Sequence, residues 1–135
     1  MIKVKIVFII GSILCCMLPI ICISCSDSIY IAGTYYCYQD NTPICAILNV
    51  ENDKMNIPPT VLKYKTDGTY ITVMQKPQIP QDAIYRNIDY PNFSSDTIYY
   101  WIIEINSDSI MGPLDYTSFI NECKRHNIGD NLQFQ

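Results

Sequence analysis

Between Ile6 and Ser26 the chain carries no charged residue, and only Lys3 and Lys5 stand ahead of this run. A positive start followed by an apolar stretch, here interrupted by Gly11, Ser12 and Pro19, has the layout of a secretory signal. Setting aside residues 1–24 leaves 111 of the 135 residues to build structure. A chain of about 100–150 residues makes one domain around one modest core. The expected organisation is a signal over 1–24, a tether over 25–31 and a single globular domain over 32–135.

The run ends in Cys22-Ile23-Ser24-Cys25. Ile23, Ser24 and Cys25 resemble the end of a bacterial lipoprotein signal, in which an aliphatic, a variable and a small residue precede an obligatory Cys. Cys22 occupies the position where that pattern usually has Leu. The resemblance implies a diacylglycerol thioether on the Cys25 sulfur, cleavage before Cys25 and a further acyl chain, such as palmitate, on the freed amine. Each buried methylene contributes about 0.8 kcal/mol, so two or more chains hold a protein on a bilayer where one would not. The expected location is the cell envelope, with the domain outside the cytoplasm. Two alternatives stand beside it. One is an uncleaved anchor, since the run approaches the roughly 20 residues that span a bilayer; the other is a plain signal cut nearby.

Loss of Lys3 and Lys5 leaves 7 basic residues against 13 acidic ones, a net charge of −6. Nucleic-acid binding rests on neutralising phosphates with Lys and Arg, so this field argues against such a partner. It also keeps an ordinary domain soluble. The 11 tyrosines supply much of the apolar surface left once the signal is removed.

Thr34 to Tyr38 reads as a strand on its β-branched and aromatic content, and Ile44 to Val50 as a second, joined by a loop. Asp67-Gly68 is a two-residue turn signal, because a type I′ turn needs positive φ at both positions. It predicts pairs Thr66 with Thr69, Tyr64 with Ile71 and Leu62 with Val73, all on the face turned to the core. Thr97 to Asn106 is apolar on both sides, as a central strand is. Ile110-Met111 pairs briefly before Gly112-Pro113 halts the ladder. A helix from Asp115 to about Asn127 follows, with Asp115 as N-cap, Leu114 and Phe119 as a staple, and Phe119, Ile120 and Cys123 as the buried stripe. Lys124, Arg125 and His126 suit its last turn, and Gly129 terminates it. The fold class expected is α+β: an antiparallel sheet of about five short strands covered on one face by the C-terminal helix.

The segment 76–96 is long for a structureless connection. Tyr85, Arg86, Tyr90 and Phe93 make it a candidate contact surface; the plainer reading is a short helix near Gln81 to Asn87 packed on the sheet, with the aromatics as packing.

Tyr99-Tyr100-Trp101-Ile102-Ile103, Gly112-Pro113-Leu114 and Phe119 on the helix resemble the C-terminal half of a family of small bacterial lipoproteins of unknown function. Pro59-Thr60-Val61 and a strand from Tyr70-Ile71 to Gln75 extend the likeness across most of the mature chain. It implies a fold and no catalytic residues.

His126 is the single histidine and has no recognisable Ser or Cys partner, which disfavours triad chemistry. Glu104, Asp108 and Asp115 are a candidate carboxylate set for a hydrolase, although turn and cap roles account for two of them. Cys37, Cys45 and Cys123 with His126 make a conceivable metal set. The stronger reading is a Cys37–Cys45 disulfide across the hairpin loop in an oxidising compartment. No cofactor or metal is expected. The leading expectation is a non-enzymatic binding or interaction module on the envelope bilayer, partnered by an unknown envelope protein or ligand. A carboxylate hydrolase and a structural or inhibitory accessory protein are the alternatives.

Overall fold

The computed structural model describes residues 27–39, 45–52, 56–85 and 87–135. The expected signal, Cys25 as the expected lipid-attachment residue and the candidate contact-surface residue Arg86 therefore lie outside the described residues. These form seven strands: β1 (Asp27–Ala32), β2 (Tyr35–Gln39), β3 (Cys45–Asn49), β4 (Val61–Thr66), β5 (Tyr70–Gln75), β6 (Tyr99–Glu104) and β7 (Ser109–Leu114). One helix, α1 (Tyr116–Arg125), and three 3-10 turns complete the fold. The class is α+β, with the strands divided between two antiparallel sheets, β1-β2-β3 and β4-β5-β6-β7. Among the described residues no helix is long and apolar enough to cross a membrane.

The segment expected to be a tether enters the first sheet at Asp27, which pairs with Gln39. Its Ile29-Tyr30-Ile31 core has the β-branched and aromatic content of a strand, and β2 offers it a free edge. A Gly33 turn joins the two strands. Gly33 has φ +58°, and a Cβ there would stand 2.6 Å from Ile105 Cγ2, so only glycine fits.

β6 is the hinge of the architecture. Its odd residues Tyr99, Trp101 and Ile103 join Ile71 and Val73 of β5 against Ile31, Tyr35, Cys37 and Ile47 of the three-stranded sheet. Its even residues Tyr100 and Ile102 face the other way, toward Phe119 and Cys123 of α1 and toward Ile128, Leu132 and Phe134 beyond it. Both faces of the four-stranded sheet are thus covered, which is why β6 reads apolar on both sides. Each fully buried aliphatic or aromatic side chain contributes roughly 1.5–3 kcal/mol, so the two layers carry most of the stability.

The β4–β5 hairpin has its predicted turn in a different register. Thr66 pairs with Ile71 and Tyr64 with Val73. Asp67 Oδ1 accepts from the amides of Thr69 and Tyr70, both at 2.8 Å, and this widens the loop by two residues. A shift of two preserves the faces, so Ile71 and Val73 are buried as expected. A bulge between Val61 and Lys63 reverses the strand's start: Val61 is buried and Leu62 exposed.

β7 continues through Gly112-Pro113 instead of stopping before it. Tyr100 pairs with Leu114 and Ile102 with Met111, leaving the Gly-Pro pair in a bulge on an edge strand, where Pro's missing N–H is tolerated. Asp115 then caps α1, its Oδ1 accepting from the Ser118 amide at 2.7 Å. α1 stops at Arg125, close to the expected end near Asn127, and the left-handed residue that terminates it is Asn127 rather than Gly129. Asn127 has φ +54°, and the Ile128 amide reaches the Cys123 carbonyl at 2.8 Å, the bond pattern of a Schellman cap. Beyond it the tail folds under β5, where the buried Thr72 hydroxyl donates to the Leu132 carbonyl at 2.6 Å.

Candidate ligand groove

Gln75 ends β5 fully buried, and a polar side chain in that position must find partners. Its Nε2 donates to the Pro58 carbonyl at 3.1 Å and to the Tyr90 hydroxyl at 2.9 Å, and its Oε1 accepts from Trp101 Nε1 at 2.8 Å. The Tyr90 ring lies 4.8 Å from that of Tyr99 and edge-on to Trp101 at 6.5 Å. Tyr99 in turn donates to the Pro91 carbonyl at 2.8 Å. One amide therefore locks the indole of Trp101 and pins the long 76–98 connection to the sheet. Burial raises the Tyr90 hydroxyl above its ordinary range, and the bond from Gln75 partly offsets this.

The far side of the Trp101 ring meets Gly112, where a Cβ would stand 2.6 Å from Cε3. Gly112 has φ +144°, open only to glycine, and with Pro113 it forms one wall of a solvent-open groove of about 530 Å³. Ile88 and Ile110 add apolar surface, while Asn56, Asn87 and Asp89 bring polar groups to it. Its volume falls within the roughly 300–1,000 Å³ of small-molecule sites, and its lining is shared about evenly between polar and apolar residues.

The sequence-predicted residues fall into separate places. Tyr90 is buried in the core against Tyr99 and Trp101 and reaches a small cleft beside Tyr85, so it lies neither in the groove nor on an exposed patch. Tyr85, on a 3-10 turn (Ala83–Tyr85), lines a water-sized cleft with Pro58, Gln81 and Asp82. Burial, then the nearby Asp82 charge, raises its hydroxyl. Phe93 is exposed and tilted against Tyr90 at 5.7 Å. Of the segment's aromatics Tyr90 alone is buried; the expected short helix is a 3-10 turn with no buried residue, and an exposed Lys76–Asp96 ion pair of 3.3 Å spans the ends.

Cys37 and Cys45 form a disulfide with Cα atoms 6.2 Å apart, diagonal across β2 and β3. Cys123 is buried in the other core, on the helix side of the sheet, and burial followed by the Glu122 charge pushes its thiol up to about 11. The three sulfurs and His126 do not converge. His126 sits at the end of α1, 3.5 Å from Glu122.

The three candidate carboxylates are also dispersed. Glu104 accepts from Ser107 Oγ at 2.6 Å, and Asp115 caps α1. Asp108 Oδ1 accepts from the Tyr35 hydroxyl at 3.1 Å and from Asn49 Nδ2 at 3.3 Å, tying the β6–β7 turn to the three-stranded sheet. Burial raises the Tyr35 hydroxyl; Asn49 opposes the shift and Asp108 adds to it. None of the three lines the groove.

Sequence reasoning missed Gln75 as the organising residue, and missed Asn56, Asn87 and Asp89. Trp101 beside a Gly-Pro bulge is the signal that points to the groove, since a close approach to a large ring needs glycine. No curated protein and no solved structure matches the chain. A family model, that of the proteins of unknown function designated DUF3997, matches residues 32–135, from the last residue of β1 to the end of α1 and its tail, and the chain belongs to that family.

Proposed function

We propose that this protein is a lipoprotein of the bacterial cell envelope, anchored through Cys25, whose domain is a non-enzymatic binding module that receives a ligand in the groove beside Trp101. The observation that carries the anchor is the sequence of Lys3 and Lys5, the uncharged run and Ile23-Ser24-Cys25. The Cys37–Cys45 bridge suits the oxidising side of a membrane. Binding is supported by a groove of about 530 Å³ lined by Trp101, whose indole is fixed by Gln75 and packed against Gly112. Glu104, Asp115 and Asp108 are engaged in a turn, a cap and a tie between the sheets, so Asp89 stands at the groove without a second acid among the lining residues to serve the hydrolase alternative.

Expression of the full chain with Cys25→Ala tests the anchor, because cleavage before residue 25 requires the acylated Cys. A larger product that keeps residues 1–24 is expected, and a product of unchanged size with unchanged membrane partition would defeat it. Photo-cross-linking in intact cells from a probe at Asn87 tests the groove: a discrete adduct is expected, and adducts no different from those of a probe at Thr69 would refute a ligand there.

A further inference from the structure

Ile29 of β1 and Leu62 of β4 belong to different sheets, are 50% and 46% exposed, and share one cleft of about 340 Å³. The Cys37–Cys45 bridge, Val61 and Tyr64 form its walls, and Lys63 stands at its rim. This cleft is the open end of the sandwich. Ile31, two residues further along the same face of β1, is buried, so the apolar face runs out of the core as far as Ile29. Tyr30 on the opposite face is 60% exposed, its ring edge-on to Tyr36 at 5.4 Å.

Scattered exposed apolar residues are ordinary on any surface. These differ in where the chain ends. Asp27, the first residue of β1, follows Cys25 by two residue steps, at most roughly 7 Å of extended backbone. The headgroup layer into which interfacial side chains sink is roughly 5–10 Å deep. With lipid on Cys25, a strand on so short a link would stay at the membrane surface.

We propose that the open end of the sandwich is the face on which the domain rests on the bilayer, with Ile29 and Leu62 entering the headgroup layer. This rests on the reading of Cys25 as the lipid-bearing residue. Tyr30 has the apolar body and polar tip that suit the same layer, and Lys63 meets anionic headgroups. The Gly33-Thr34 turn, Val50 and the Asp67–Tyr70 turn, at the other ends of their strands, then face away from the membrane.

The test uses the acylated protein, starting at Cys25, taken from bacterial membranes into nanodiscs of phosphatidylethanolamine and phosphatidylglycerol. With a headgroup spin label in the lipid, the methyl signals of Ile29 and Leu62 are expected to relax several-fold faster than those of the exposed Val50 and Thr69. Equal enhancement, or a larger one at Val50 and Thr69, overturns the orientation while leaving the anchor intact. Mass spectrometry before reconstitution separates the other failure: an N-terminus without acyl chains overturns both.

Discussion

Replacing Gln75 with Leu keeps the side-chain volume close to that of glutamine and removes every polar atom from the buried junction of β5, β6 and the 76–98 connection. Trp101 Nε1 loses its acceptor at 2.8 Å, the Pro58 carbonyl its donor at 3.1 Å and the Tyr90 hydroxyl its donor at 2.9 Å. A buried group left unsatisfied costs about 1–3 kcal/mol, and the gain from burying leucine in place of an amide offsets part of the total. The expected net loss is about 3 kcal/mol, a large share of the roughly 5–15 kcal/mol that holds a domain folded. At about 4 °C per kcal/mol for a domain of this size, the thermal midpoint falls by roughly 12 °C. Trp101 is the one tryptophan, so urea unfolding followed by its fluorescence reads the site directly. Tyr90→Phe alone removes a single acceptor and costs about 1 kcal/mol, and it adds almost nothing on top of Gln75→Leu if the two act through one network. A Gln75→Leu protein within about 0.5 kcal/mol of the parent, with the two substitutions additive, would refute the network as an organising element.

Reduction of the Cys37–Cys45 bridge frees a loop closed over a sequence separation of 8 residues, and the chain-entropy relation gives a loss of about 2.5 kcal/mol, read as a lower urea midpoint with reductant present. In the Cys25→Ala protein lacking residues 1–24, alkylation after unfolding without reductant is expected to add one label, at Cys123, and three labels would show the bridge absent. Because the Cys123 thiol is raised in the folded state from 9.0 to about 11, the native protein holds a proton that the unfolded chain releases, so stability falls as pH rises from about 9 to 11. The raised tyrosines 35, 85, 90, 99 and 100 act in the same direction, so the alkaline decline is expected to be reduced, not abolished, in Cys123→Ala. Asp115→Ala removes the cap on Ser118 and is expected to lower the urea midpoint at pH 7 while leaving it nearly unchanged at a pH below the lowered carboxyl value, whereas Asp115→Asn retains much of the cap.

Where periodicity and end signals carry the structure, the chain is legible. Apolar residues on both sides of Tyr99 to Glu104 announce a strand covered twice, and Asp115 followed by the Phe119-Ile120-Cys123 stripe announces the helix above it. The Asp67-Gly68 signal locates a turn, but one carboxylate bonded to two amides resets its register, and that detail has no signature in residue spacing. The exchange of Val61 for Leu62 at the core follows from a bulge, which two equally apolar neighbours cannot forecast. Tyr90 illustrates the limit for the site. Its composition fits a contact surface and a core equally well, and only the position of Gln75 in space decides between them. The groove escapes reading for the same reason, since the 76–98 connection, which has little regular structure, brings Asn87 to Asn56 and to Gly112 of β7.

The proposed place of the chain in the cell rests on whether the sulfur of Cys25 carries a diacylglycerol. Intact-mass analysis of the natural product, extracted from membranes with detergent and digested to its N-terminal peptide, measures this directly. The account predicts a peptide that begins at Cys25 and carries the added mass of a diacylglycerol thioether. A peptide that retains residues 1–24, or one that begins elsewhere with a free thiol at Cys25, would contradict it.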